Sequence, residues 1–154
     1  MLDLYTEFET VIEALEEHQI NYAVCGGLAV SFFAQPRLTQ DIDVLLAPAE
    51  CERCKEILLP LGFQFLSTPM RFDTDTVEVH KLTKIEPGGA DYIFLDLIAA
   101  ISPLTQKILA EHVRLSWKEK PVWIVSRDGL IKLKKAAKRP KDFLDLDALK
   151  AGEE

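Results

Sequence analysis

Apolar residues at Leu4, Phe8, Val11, Ile12 and Leu15 recur at helical spacing, with polar residues between them. This pattern predicts an amphipathic helix over residues 4–18. The next apolar stretch, Tyr22-Ala23-Val24-Cys25, is short and is stopped by Gly26-Gly27, so it reads as a buried strand followed by a turn. Residues 28–34 resume as a helix that Pro36 ends, with Arg37 and Thr39 in the loop beyond it. Residues 41–46 (Asp-Ile-Asp-Val-Leu-Leu) begin by alternating charged and apolar side chains, the mark of a strand with one wet face. Pro48 opens a helix to about Leu59, Gly62 ends it, and residues 63–66 read as a strand.

Alternation returns over residues 77–82, and Pro87-Gly88-Gly89 marks a turn. Residues 92–99 form an apolar run interrupted at Asp96, expected as a central strand. A short helix is expected over 104–110. Two strands, 113–117 and 122–125, should form a hairpin around the charged residues 118–120. Ser126 suits an N-cap and Asp128 favours the first turn of a helix over 130–138. Pro140 suits the first turn of a last helix ending near Lys150. The order is α, β, α, β, α, several strands, then two helices, so the fold class is α+β or mixed α/β. No repeat or linker divides residues 1–154, which read as a single domain.

The chain has 154 residues and is 48% hydrophobic, enough for one core. Its net charge of −7 argues against strong general nucleic-acid binding, which requires a basic surface. A small anionic ligand stays open, because a bound cation can invert the local field. Residues 1–9 carry acids where a secretory signal would carry basic residues, and no apolar run is long enough to span a bilayer. Cys25, Cys51 and Cys54 are sparse and odd in number, which fits a reducing compartment; a cytoplasmic protein with no membrane partner is expected.

The candidate chemistry lies in Gly26-Gly27-Leu28-Ala29-Val30 and in Arg37-Leu38-Thr39-Gln40-Asp41-Ile42-Asp43-Val44. Glycines between a strand and a helix let backbone approach a ligand closely, and the helix start offers free N–H groups to a phosphate. By themselves they are usually just a turn. Asp41 and Asp43, two apart on a strand, project to one face with Cβ atoms about 6–7 Å apart. Such a pair is often just a solvated face, but on a buried strand the two charges repel. A divalent cation removes that conflict, and Mg²⁺ is held by one or two carboxylates together with substrate phosphates.

These runs resemble the signature of the polymerase-β-like nucleotidyltransferase superfamily, a Gly-Gly turn followed by Asp-hydrophobic-Asp-hydrophobic. Gly26-Gly27-Leu28-Ala29-Val30, Pro36-Arg37-Leu38-Thr39 and Asp41-Ile42-Asp43-Val44 resemble most the bacterial branch that includes the abortive-infection (AbiEii-type) toxin nucleotidyltransferases and small relatives. The resemblance covers residues 22–46 and returns weakly at Asp96 and over 134–145. It implies a minimal nucleotidyltransferase fold, with a mixed sheet flanked by helices and a helical C-terminus. It also implies Mg²⁺ or Mn²⁺ held by Asp41, Asp43 and a third acid, for which Asp96 is the natural candidate and Glu78 and Asp91 are reserves. Gly26 and Gly27 would hold the triphosphate of an NTP, with Arg37 and Thr39 nearby. Lys134, followed by Asp142 and Asp145, matches a basic clamp in the toxin-like branch, although the 132–141 run also reads as one solvated helix face.

The implied activity moves a nucleoside monophosphate to a hydroxyl on a small molecule, an RNA end or a protein. The rival is a non-catalytic nucleotide-binding member or one half of a toxin–antitoxin pair, acting as a homodimer or with a partner protein. Cys51-x-x-Cys54 has no second pair to complete a zinc site, and His18, His80 and His112 are scattered. No Walker-type phosphate loop is present.

Overall fold

A computed structural model describes residues 2–34, 40–65, 68–72, 77–137 and 140–151. Helix α1 (Leu4–Glu17) begins where the Asp3 carboxylate accepts from the Thr6 N–H at 3.0 Å, and it buries Phe8, Val11, Ile12 and Leu15. Strand β1 (Tyr22–Cys25) passes directly into α2 (Gly26–Phe33). The helix therefore starts two residues earlier than expected, because Gly26 at φ +67° turns the chain and Gly27 is already helical. Strand β2 (Asp41–Leu46) has the expected bounds.

Beyond it, the helix expected from Pro48 is split into a 3₁₀ turn (Pro48–Glu50), α3 (Cys51–Leu58) and a second 3₁₀ turn (Leu59–Leu61) closed by Gly62 at φ +98°. Strands β3 (Gln64–Phe65) and β4 (Met70–Phe72) are short, and β4 has no sequence signal of its own. Then follow β5 (Val77–Ile85), β6 (Tyr92–Ala100), α4 (Pro103–Ala110), β7 (Val113–Trp117), β8 (Lys120–Ile124), α5 (Arg127–Ala137) and α6 (Pro140–Ala151). The β7–β8 loop is the two residues Lys118 and Glu119, at φ +47° and +69°. Both central residues of such a turn need positive φ, which side-chain-bearing residues resist. Lys118 and Lys120 reach across to Glu9 and Glu13 of α1, which holds the hairpin down.

The strands form one mixed sheet in the order β3-β5-β6-β2-β1-β8-β7, with β4 alongside β5. β2 runs parallel to β6 and β1 parallel to β8, while the other neighbours are antiparallel. Alternation gives the sheet two unlike faces. Ile42, Val44, Leu46, Leu82, Leu95 and Leu97 share one face and are fully buried. The opposite face carries Asp41, Asp43, Lys81, Phe94, Asp96 and Ile98, all only part-buried. At β1 and β2 the sheet is covered on both sides, since Ala23 and Leu45 are buried as well. No helix among the described residues is long and apolar enough to cross a membrane.

Candidate active site

Strand register brings the predicted acids together. Asp43 of β2 lies directly opposite Asp96 of β6 in the parallel pair. Registered neighbours point to the same side, about 4.8 Å apart across the ladder. Asp41, one pleat away on β2, shares that face and lies opposite Phe94. The two sequence motifs thus converge through backbone pairing between residues 53 positions apart.

The glycine pair meets the same point from the other side. Cys25 is the antiparallel partner of Asp43, and Gly26 follows it. A Cβ at Gly26 would collide with the Asp43 side chain, its Cγ and Cβ lying 2.7 and 2.9 Å away and Oδ2 nearer still. Only glycine permits this approach, and the positive φ reinforces the requirement. The Asp43 carboxylate therefore rests against the first turn of α2, the helix end whose exposed N–H groups favour negative charge. Gly27 is buried in that turn.

Asp96 stands at the middle of β6, its side chain 16% exposed. Lys81 of β5 is its antiparallel partner, and the ammonium Nζ lies 2.9 Å from Asp96 Oδ1. That oxygen is buried and receives no well-directed hydrogen bond among the described residues, so Lys81 meets it as a charge. Lys81 was not singled out from the sequence. It sits on an alternating strand, but only the β5–β6 register sets it against Asp96. Among the described residues, the three acids and Lys81 sum to a formal charge of −2, which one divalent cation would neutralise.

Among the described residues, no three His, Cys, Asp or Glu side chains are gathered tightly enough to form a ready-made metal cage. The donor set nevertheless fits a hard cation, since it consists of carboxylates on one face of the sheet. Mg²⁺ in particular keeps waters and takes substrate phosphates among its ligands, so two carboxylates suffice to hold it.

The other candidates are distributed as follows. Arg37 and Thr39 lie outside the described residues. Lys134 is buried in α5 and its Nζ is 3.0 Å from Asp145 Oδ2 of α6, the two side chains being 5% and 2% exposed. A role toward phosphate would require it to exchange that partner. Glu78 is on the opposite face of the sheet from Asp96, bonded to Arg71 at 3.1 Å and His80 at 2.9 Å. Asp91 sits in the turn before β6, accepting from the N–H groups of Leu2 and Tyr92. Cys51 and Cys54 are buried thiols, and burial pushes them up to about 11 and about 12.

No family model and no curated protein matches the sequence. Solved structures do match in shape. The lincosamide antibiotic adenylyltransferase LnuA, in its lincomycin-bound form, aligns with a TM-score of 0.64 at 13% identity, over 95% of this chain and 96% of that one. ANT(2")-Ia in complex with adenylyl-2"-tobramycin aligns with a TM-score of 0.61 at 15% identity, over 97% and 88%. An antigenic nucleotidyltransferase-like protein from Paracoccidioides brasiliensis aligns with a TM-score of 0.59 at 19% identity, over 95% and 74%. These proteins span nearly the whole chain, its sheet and its helical C-terminus together, and the fold of this chain is accordingly the nucleotidyltransferase fold.

Proposed function

We propose that the protein transfers a nucleoside monophosphate from an NTP to a hydroxyl acceptor, with release of pyrophosphate. The observation that carries this reading is the meeting of Asp43 with Asp96 in register and with Gly26 at its back. Asp41 and Asp43 would hold Mg²⁺ or Mn²⁺, and Gly26 and Gly27 would receive the triphosphate at the start of α2. The cation, when bound, supplies charge stabilisation at the reacting phosphate. Asp96, in register with Asp43 on the same face, would take the proton of the acceptor hydroxyl. Lys81 keeps its carboxylate oriented. Arg37 and Thr39, four and two residues before Asp41, would add contacts to phosphate or acceptor.

The bound molecules of the LnuA and ANT(2")-Ia structures make small hydroxylated compounds the acceptors to try first. The net charge of −7 points the same way. A cytoplasmic location fits all of this. The test is incubation with labelled NTPs, Mg²⁺ or Mn²⁺, and a panel of lincosamides, aminoglycosides, short RNAs and proteins. Transfer to one acceptor that disappears in Asp43→Asn is the expected result. Absence of both transfer and NTP binding would sink the reading. Metal-dependent NTP binding without transfer would instead favour a non-catalytic member, such as a toxin–antitoxin partner.

A further inference from the structure

Strand β6 carries its chemistry in steps of two. Tyr92, Phe94 and Asp96 point to the same face, with Tyr92 56% exposed. The Tyr92 and Phe94 rings pack against each other at 5.1 Å between centroids, tilted by 55°. Phe94 lies opposite Asp41, so the aromatic pair borders the acids directly. Lys81 joins the two parts, its Nζ 4.9 Å from the centre of the Phe94 ring and 2.9 Å from Asp96 Oδ1. Ile85, opposite Tyr92 on β5 and 57% exposed, extends the apolar border.

We infer that Tyr92 and Phe94 form the platform on which the acceptor rests, and that the acceptor is a small hydroxyl-bearing ring compound without net negative charge. This inference rests on the transferase reading above. Size supports it: Phe94 and Asp96 are two residues apart on the strand, about 6.5 Å, so a ring against the aromatic pair sets a substituent hydroxyl within reach of Asp96. Charge supports it too. Single-stranded nucleic acid needs stacking rings together with a basic groove. Among the described residues the ammonium beside the rings, that of Lys81, is already held by Asp96. An aromatic pair whose neighbouring ammonium is already paired suits a neutral or cationic body with an apolar side.

The experiment measures binding of tobramycin, lincomycin, trehalose and a short oligouridylate by saturation-transfer NMR and calorimetry. It uses the full chain, its Tyr92→Ala and Tyr92→Phe forms, and Mg–ATP as the control ligand. At least one ring compound should bind and should weaken about tenfold in Tyr92→Ala. It should keep its affinity to within about twofold in Tyr92→Phe, which retains the ring. Mg–ATP affinity should be the same in all three proteins. Ring-compound binding that ignores Tyr92→Ala would overturn the inference alone. So would Tyr92-dependent binding of the oligouridylate in preference to the ring compounds, or Mg–ATP binding with no ring compound bound. Failure of Mg–ATP to bind the unaltered chain would overturn the transferase reading, and this inference with it.

Discussion

Gly26 and Asp43 occupy adjoining space so closely that a single added carbon on the glycine would lie against the carboxylate. The contact ties the start of α2 to the strand that carries the candidate acids. Gly26→Ala should therefore destabilise the fold by about 2 kcal/mol or more, through both the collision and the positive φ of 67°. The double variant Gly26→Ala with Asp43→Ala should lose less than the sum of the singles, by about 1 kcal/mol. Urea melts of the four proteins read both numbers. A neutral Gly26→Ala would mean that the two residues do not share this space.

Mg–ATP at about 100 times its Kd should stabilise the unaltered chain by about 2.7 kcal/mol. For a chain of this size that is a rise in Tm of about 5–10 °C. Asp41→Asn and Asp43→Asn should each abolish most of the rise. Asp96→Asn should keep it and lower the transfer rate by about 10²–10⁴. Scanning fluorimetry and a transfer assay separate the two roles. A thermal shift that survives Asp43→Asn would contradict the placing of the cation.

Lys134 and Asp145 form a buried ion pair between α5 and α6. Lys134→Met takes the ammonium away from the buried Asp145 carboxylate and should cost about 3–5 kcal/mol. Adding Asp145→Leu should restore much of that loss, because an apolar pair avoids desolvation altogether. Equilibrium unfolding of the single and double variants checks this. If the double variant is no more stable than Lys134→Met, the pair does not have this role.

The thiols of Cys51 and Cys54 are pushed up to about 11 and about 12 by burial, from an ordinary 9.0. Both states keep these thiols protonated below pH 9, so their contribution to stability is fully present there. Above it the unfolded chain ionises first, and the contribution is lost as pH rises through 11 and 12. Cys51→Ala with Cys54→Ala should make the decline of Tm above pH 9 shallower than in the unaltered chain. Identical slopes would show that these thiols are not shielded.

The early part of the chain is legible in its sequence because its signals are local. α1 and the β1 and β2 bounds follow from periodicity and glycine placement within a few residues. β4 was invisible, since three residues pairing with β5 carry no period of their own. The split of the helix after Pro48 was equally hidden, because 3₁₀ and α turns draw on the same residues. Arg37 and Thr39, anticipated beside the acids, fall outside the described residues.

By itself the sequence determined which side chains share a face, because alternation along β2 puts Asp41 with Asp43 and alternation along β6 puts Tyr92 and Phe94 with Asp96. Which strands become neighbours is decided by long-range pairing, and no local pattern encodes it. Only the tertiary structure set Asp43 beside Asp96, gave Asp96 its ammonium partner in Lys81, and buried Lys134 against Asp145. Register is a property of two strands together. A one-residue slip of β5 would have turned Lys81 to the buried face and left the third acid without its cation.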